Sequence, residues 1–294
     1  MADSIKNSKT ILRSHGHYKL TKGTSHRFWK KPLYRIAKQI IDIKTSKTCE
    51  SGSLVFGAPS KYISVGASED WAVGTGDFCI DWWQYQTLAS PPPYSRLFQI
   101  GDWPNHSLAV SIENGSFLAW VSNQTGYYGR IQLSNYLNQW VYFAFVRYNG
   151  IVSVYQNGTR ILNVSAPNNV SNNTDVLKIG EGSGNYWNGN LTNFRFVKGY
   201  SVYDANQTSI TVPSGPLSNT PGTKLLLLAK NAGSYLLDSS NSNKTVANNG
   251  SVTWSSSFPD AICPSKPITT DIFGLMTEQG NYIQTESSNI IRID

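Results

Sequence analysis

Alternating hydrophobic and polar positions fill the middle of the chain. Between residues 78 and 83, Phe, Ile and Trp alternate with Cys, Asp and Trp. A period of two residues places successive side chains on opposite faces of a β-strand. The same pattern recurs in short segments, which predict strands at Ser53–Phe56, Tyr62–Val65, Arg96–Ile100, Leu108–Ile112, Phe117–Val121, Trp140–Arg147, Val152–Gln156, Arg160–Val164, Val176–Ile179, Asn193–Val197 and Leu225–Leu228.

Asn-Gly pairs mark three of the connections between these strands, at Asn114-Gly115, Asn149-Gly150 and Asn157-Gly158. Both residues tolerate the positive φ angles of tight hairpin turns, so each pair predicts an antiparallel hairpin. Both faces of residues 140–146 are apolar or aromatic, which predicts a central strand covered on each side. Many short antiparallel strands at regular spacing are typical of an all-β sandwich.

The ends of the chain have a different pattern. Residues 1–31 are polar and basic, and they precede apolar residues at helical spacing, namely Leu33, Ile36, Ala37, Ile40 and Ile41. Short apolar runs also recur after residue 264. We therefore expect a basic N-terminal arm with a short amphipathic helix at 1–48, a sandwich at 49–262, and a C-terminal tail with short strands at 263–294.

Four segments carry a resemblance to a known family: Gly76–Trp83, Gln139–Arg147, Val154–Gly158 and Trp187–Gly199. Taken in this order, they resemble the laminin-G-like, or concanavalin A-like, domains. This resemblance implies an antiparallel jelly-roll β-sandwich. It also implies two activities common in the family, which are sugar binding and calcium binding.

A narrower resemblance follows in residues 211–254 and 275–286. These segments are similar to a subgroup found in virion structural proteins of phages and large DNA viruses. The resemblance implies a non-enzymatic structural protein of a virus particle, a minor capsid or capsid-associated protein whose partners are neighbouring capsid proteins. We expect synthesis in the host cytoplasm and localisation in the virion.

Charge is concentrated at the N-terminus. Residues 1–48 contain twelve Lys or Arg against two acidic residues, whereas the other 246 residues contain 13 against 16. A basic arm on a near-neutral body suits an anionic partner, such as nucleic acid, an internal membrane or an acidic protein. A solubilising tail is the alternative. The arm residues predicted to bind a partner are Phe28, Trp29, Lys30, Lys31, Arg35 and Lys38.

Residues 1–9 are polar, which argues against a cleavable secretion signal. In that setting the three cysteines, Cys49, Cys79 and Cys263, are expected to be thiols. A bridge between Cys49 and Cys263 is the alternative.

The sequence argues against catalysis. The family that this chain resembles includes glycoside hydrolases, and those of the laminarinase type carry two carboxylates on one strand in a Glu-x-Asp-x-x-Glu pattern, which is absent here. The sequence also has no Gly-x-Ser-x-Gly elbow and no Gly-Lys-Ser/Thr phosphate loop. We therefore expect that the protein is not an enzyme and that it has no catalytic residue and no cofactor. Calcium is the exception, because Asp102 and Asn105 occupy a loop with suitable oxygen ligands; ordinary turn residues are the alternative.

Carbohydrate binding is the alternative function, as a lectin-like module at a cell or virion surface. Four aromatic residues in Gly- and Asn-rich segments are expected to lie in loops, where they would stack on glycans or anchor a protein partner: Tyr127, Tyr128, Tyr186 and Trp187. Partly buried rim positions are equally compatible with these segments.

Overall fold

The computed structural model describes residues 51–57, 60–87, 94–113, 115–121, 128–170 and 174–263, together with two short strands near the C-terminus. The strands in chain order are β1 Ser53–Phe56, β2 Tyr62–Val65, β3 Phe78–Tyr85, β4 Arg96–Ile100, β5 Leu108–Glu113, β6 Ser116–Val121, β7 Tyr128–Gln132, β8 Trp140–Tyr148, β9 Ile151–Gln156, β10 Thr159–Ser165, β11 Leu177–Ile179, β12 Glu181–Gly182, β13 Asn185–Tyr186, β14 Gly189–Lys198, β15 Thr223–Leu227, β16 Val246–Asn249, β17 Thr253–Ser255, β18 Ile283–Gln284 and β19 Ile290–Ile291. Short 3-10 turns occupy Glu69–Trp71 and Asp260–Ile262.

Two sheets form the sandwich. The back sheet has the order β10-β9-β8-β3-β14-β1-β17, with β15 beside β14, and the front sheet has the order β16-β2-β11-β4-β5-β6-β7. The hairpin β12–β13 joins the front sheet through β4. Neighbouring strands along both orders are antiparallel, as a jelly roll of the concanavalin A type requires. The predicted all-β sandwich is confirmed.

The Asn-Gly turns behave as predicted where the structure describes both residues. Asn149 and Gly150 have φ angles of 48° and 73° and connect β8 to β9. Asn157 and Gly158, at 48° and 83°, connect β9 to β10. Asn114 lies outside the described residues.

The core between the sheets is aromatic. Trp82 of β3 lies 5.7 Å from Phe143 of the same sheet and 5.8 Å and 6.3 Å from Phe98 and Phe117 of the front sheet. These distances are centroid separations at which rings attract one another beyond simple burial. The side chain of Trp82 is fully buried, and it ties the two sheets together.

The back sheet is covered on its outer face as well. Tyr142, Ala144 and Val146 of β8 point there and are buried. The segments after β14 and β17 supply the covering residues, which are Val202, Tyr203, Ile210, Val212, Phe258 and Ala261. The prediction of a central strand with two apolar faces is therefore confirmed.

The chain divides into two units. Residues 47–265 form the unit that carries the sandwich, and residues 1–46 and 266–294 form the other. Within the second unit the structure describes β18 and β19, an antiparallel pair with Ile283 opposite Ile291. The predicted arm helix at 33–41 and the six arm residues expected to bind a partner lie outside the described residues. In the described part of the chain, no helix has the length and apolar character needed to cross a bilayer.

Candidate functional site

The outer face of the front sheet carries polar and aromatic side chains. Strand register aligns Ser64, Lys178, Gln99, Ala109 and Trp120 in one row across five strands. A neighbouring row aligns Arg96, Ser111, Leu118 and Arg130 across β4 to β7. The inward positions between these rows belong to the apolar core, so alternation along each strand separates core from candidate site.

Arg96 is the centre of this face, although it is only 4% exposed. Its Nη1 donates to Ser111 Oγ, to the Tyr94 carbonyl at 3.3 Å and to Glu113 Oε1 at 3.4 Å. Its Cζ lies 5.1 Å from the centroid of the Trp120 ring, within cation–π range. Burial lowers the pKa of Arg96, and the nearby Glu113 carboxylate opposes part of that effect. The guanidinium is thus held in a fixed orientation under the aromatic rings.

The turn between β4 and β5 places Trp103 over this centre. The Trp103 ring stacks on His106 at 5.4 Å and meets Trp120 edge-on at 6.3 Å. His106 is buried, whereas Trp103 is 62% exposed. Burial and the positive charge of Arg96 lower the pKa of His106, so the imidazole under Trp103 is neutral at pH 7. We call Arg96, Trp103, His106, Glu113 and Trp120 the Trp103 site.

A polar network fixes the turn that carries Trp103. Lys178 Nζ lies 3.0 Å from both carboxylate oxygens of Asp102 and 3.1 Å from Glu181 Oε2. Ser183 Oγ accepts from the Trp103 backbone N–H at 2.9 Å and from Gln99 Nε2 at 2.8 Å. Because these contacts join the turn to the β12–β13 hairpin, the backbone that carries the indole is held in place before any ligand arrives.

The predicted loop aromatics have different surroundings from those expected. Trp187 is 1% exposed and lies 5.7 Å from Phe56 in the core, so its prediction as an exposed platform is wrong. Tyr186 is half-buried in β13, 6.4 Å from the Tyr62 ring. Tyr128 begins strand β7 instead of lying in a loop. Tyr127 lies outside the described residues.

The predicted calcium residues also lie at this turn. Lys178 already places an ammonium group against both Asp102 oxygens. The Asn105 backbone N–H donates to the Asp102 carbonyl at 2.8 Å, as in an ordinary turn. Within the described ranges no group of three or more His, Cys, Asp or Glu side chains could hold a metal. Calcium binding at Asp102 and Asn105 stays a prediction.

Two of the three cysteines lie within the described residues. Cys79 and Cys263 are buried thiols. Burial and the charge of Asp81 raise the pKa of Cys79 well above its ordinary value. Cys49 lies outside the described residues.

Sequence reasoning overlooked Trp103 and Trp120, although both had a signal. Trp103 stands among the turn residues Gly101, Asp102, Pro104 and Asn105, which predict an exposed loop. Trp120 shares its strand face with Ser116 instead of Phe117. An exposed turn tryptophan beside an outward strand tryptophan is the pattern that marks this site.

Residues 56–200 match the sequence model of the concanavalin A-like lectin/glucanases superfamily. Among solved structures, the chain is similar to a Bacteroides ovatus protein that is described as carbohydrate-binding. The two share 13% identity, with a TM-score of 0.52 over 71% of this chain. The chain covers 60% of that structure.

A second similar structure is the heptameric SAP-like pentraxin of Limulus polyphemus, with 10% identity, a TM-score of 0.48 and coverage of 73% of this chain and 98% of that one. No curated protein matches this chain. The likeness to the Bacteroides ovatus structure supports the fold alone, and the function is argued from the site.

Proposed function

We propose that the sandwich is a non-catalytic carbohydrate-binding module and that the Trp103 site binds the sugar. The observation that carries the proposal is the Trp103 ring, 62% exposed yet stacked on His106 and in contact with Trp120. An exposed indole normally costs free energy because it leaves apolar surface in water. A sugar stacking on it would remove that surface while its hydroxyl groups bond to neighbouring polar residues.

Suitable polar groups lie on the same face. Arg130 is about half exposed, and its Nη2 is 3.8 Å from Glu113 Oε2. That separation is a loose ion pair, so both groups retain capacity for a hydroxyl ligand. The Glu113 carboxylate lies between two guanidinium groups, Arg96 and Arg130. An arrangement of this kind favours binding through hydrogen bonds over acid–base chemistry.

The test is a glycan array probed with the full chain, with and without Ca²⁺, followed by titration of the glycans that bind. Trp103→Ala should weaken binding about tenfold or more, since a central aromatic contact contributes most of the affinity of such a site. The matched control is Tyr200→Ala, which removes another exposed ring, 45% exposed, just after β14 of the back sheet.

Equal loss of binding in both variants would show that Trp103 has no special role. A chain that binds no glycan on a broad array would contradict the proposal itself. A requirement for Ca²⁺ would instead support the prediction at Asp102 and Asn105.

The virus-particle function remains the other prediction. Its support is the basic segment 1–48 and the similarity of residues 211–254 and 275–286 to virion proteins. Neither solved structure described above is a virion protein. The exposed platform on the front sheet favours the carbohydrate-binding function, and detection of the protein in purified particles would favour the other.

A further inference from the structure

A second exposed ring lies near the Trp103 site. Tyr94 is 56% exposed and precedes β4 by two residues. Its φ of 64° is uncommon for a residue with a side chain. The hydrogen bond from Arg96 Nη1 to the Tyr94 carbonyl, at 3.3 Å, holds that backbone in place.

The same arginine connects Tyr94 to Trp103. Arg96 contacts the Tyr94 carbonyl on one side and the Trp120 ring on the other, and Trp120 meets Trp103. The Tyr94 phenol is close enough to Arg96 to interact electrostatically with its guanidinium. Tyr94 and Trp103 lie beyond opposite ends of β4, and both are linked to Arg96, Tyr94 through its backbone carbonyl and Trp103 through Trp120.

The strand register limits the distance along β4 between Tyr94 and the row that contains Trp120. Trp120 lies in the row of Gln99, five residues along the chain from Tyr94. Five residues of extended strand span at most about 17 Å, which is several ring widths. Arg130 lies in the row of Arg96, three strands away on β7, and its half-exposed guanidinium lies 3.8 Å from Glu113, whose other carboxylate oxygen pairs with Arg96. The face thus presents two exposed rings and a shared polar cluster of Arg96, Glu113 and Arg130.

We propose that Tyr94 and Trp103 are two platforms of one elongated site, which binds an extended oligosaccharide in preference to a single sugar. One sugar unit stacks on each ring, and the units between them contact Arg130. This inference rests on the proposed function, because it names the class of carbohydrate that the same face binds.

Chain length is the variable that tests it. The probes are gluco-, manno-, galacto- and arabino-oligosaccharides of one to six units, titrated against the full chain by calorimetry. For the series that binds, affinity should rise at least about tenfold between the shortest and longest members and then level off. Tyr94→Ala should leave the shortest ligands unaffected and remove most of the gain of the long ones. Trp103→Ala should weaken every length, and Tyr200→Ala should weaken none.

The two proposals fail in different ways. Affinity that is independent of length, together with wild-type binding by Tyr94→Ala, would overturn the elongated site while leaving carbohydrate binding at Trp103 intact. No binding of any series at any length would count against both. Circular dichroism of each variant at the titration temperature shows that a loss of binding is not a loss of fold.

Discussion

The outer faces of the two sheets each carry a buried arginine paired with a carboxylate, in opposite surroundings. On the back sheet, Arg195 donates two hydrogen bonds to Asp81, from Nε to Oδ1 at 2.9 Å and from Nη2 to Oδ2 at 2.6 Å. Tyr142 also donates to Asp81, at 2.7 Å, and the cluster is sealed by the segments that follow β14 and β17. On the front sheet, Arg96 reaches Glu113 through one nitrogen at 3.4 Å.

The difference separates stability from recognition. Asp81 is fully buried, and its interactions are satisfied inside the protein. Glu113 is nearly buried but shares its charge with Arg130, whose guanidinium faces solvent on one side. A sealed bidentate pair is suited to holding segments together. A loose pair beside an exposed indole is suited to exchanging partners with a ligand.

Breaking the sealed pair should have the largest effect on stability. Arg195→Met leaves the Asp81 charge buried without its partner, which should lower the free energy of unfolding by about 3–5 kcal/mol. Burial alone would lower the pKa of Arg195, but the hydrogen bond and charge of Asp81 more than reverse this, so its pKa is raised. Urea unfolding measures the loss.

The control for that prediction replaces both partners. Asp81→Leu combined with Arg195→Met removes the unpaired charge and should recover much of the lost stability. If the single variant unfolds like the wild type, the back-sheet pair is not structural and the comparison fails.

Loosening the front-sheet pair should cost less. Glu113→Gln leaves Arg96 with Ser111, Gln99 and the Tyr94 carbonyl, so we expect a loss of about 1–2 kcal/mol in the same urea experiment. Arg130→Ala is the matched control and should change stability by less than about 0.5 kcal/mol, since half-exposed ion pairs contribute little. A loss for Glu113→Gln as large as that for Arg195→Met would show that both faces are structural.

Local patterns predicted the sandwich because strands and hairpins depend on neighbouring residues. Alternation placed Phe78, Ile80 and Trp82 on one face of β3, and the Asn149-Gly150 pair produced its turn. The pairing of residues on different strands could not be predicted from such local patterns. Asp81 and Arg195 face each other directly in the β3–β14 pairing, 114 residues apart in sequence.

The site was harder to predict because exposure depends on what the rest of the chain covers. Trp187 stands among Asn and Gly residues, which suggested a loop. In the structure its ring lies where a Cβ on Gly189 would be, within 2.5 Å of that position, so glycine at 189 admits the indole into the core. Trp103 has similar neighbours in sequence, yet the β12–β13 hairpin supports its turn and leaves the ring in solvent.

The smallest effect should appear as a pH dependence of the front face. Burial first, and then the charge of Arg96, lower the pKa of His106 below its ordinary value of 6.5, and no carboxylate pairs with it in the described part of the chain. The unfolded chain therefore takes up this proton at a higher pH than the folded protein does. Stability should fall as the pH drops below about 6.5, by at most about 1.4 kcal/mol per pH unit, until the folded state is protonated too. Thermal unfolding between pH 8 and 5 measures this slope against His106→Phe, which keeps a ring beneath Trp103 but cannot titrate.

The His106→Phe variant should lose less stability than the wild type over that pH range, and His106→Gln should behave likewise. Parallel pH profiles for all three proteins would mean that the front face tolerates a second positive charge beside Arg96, and would remove the electrostatic part of its contrast with the sealed back face.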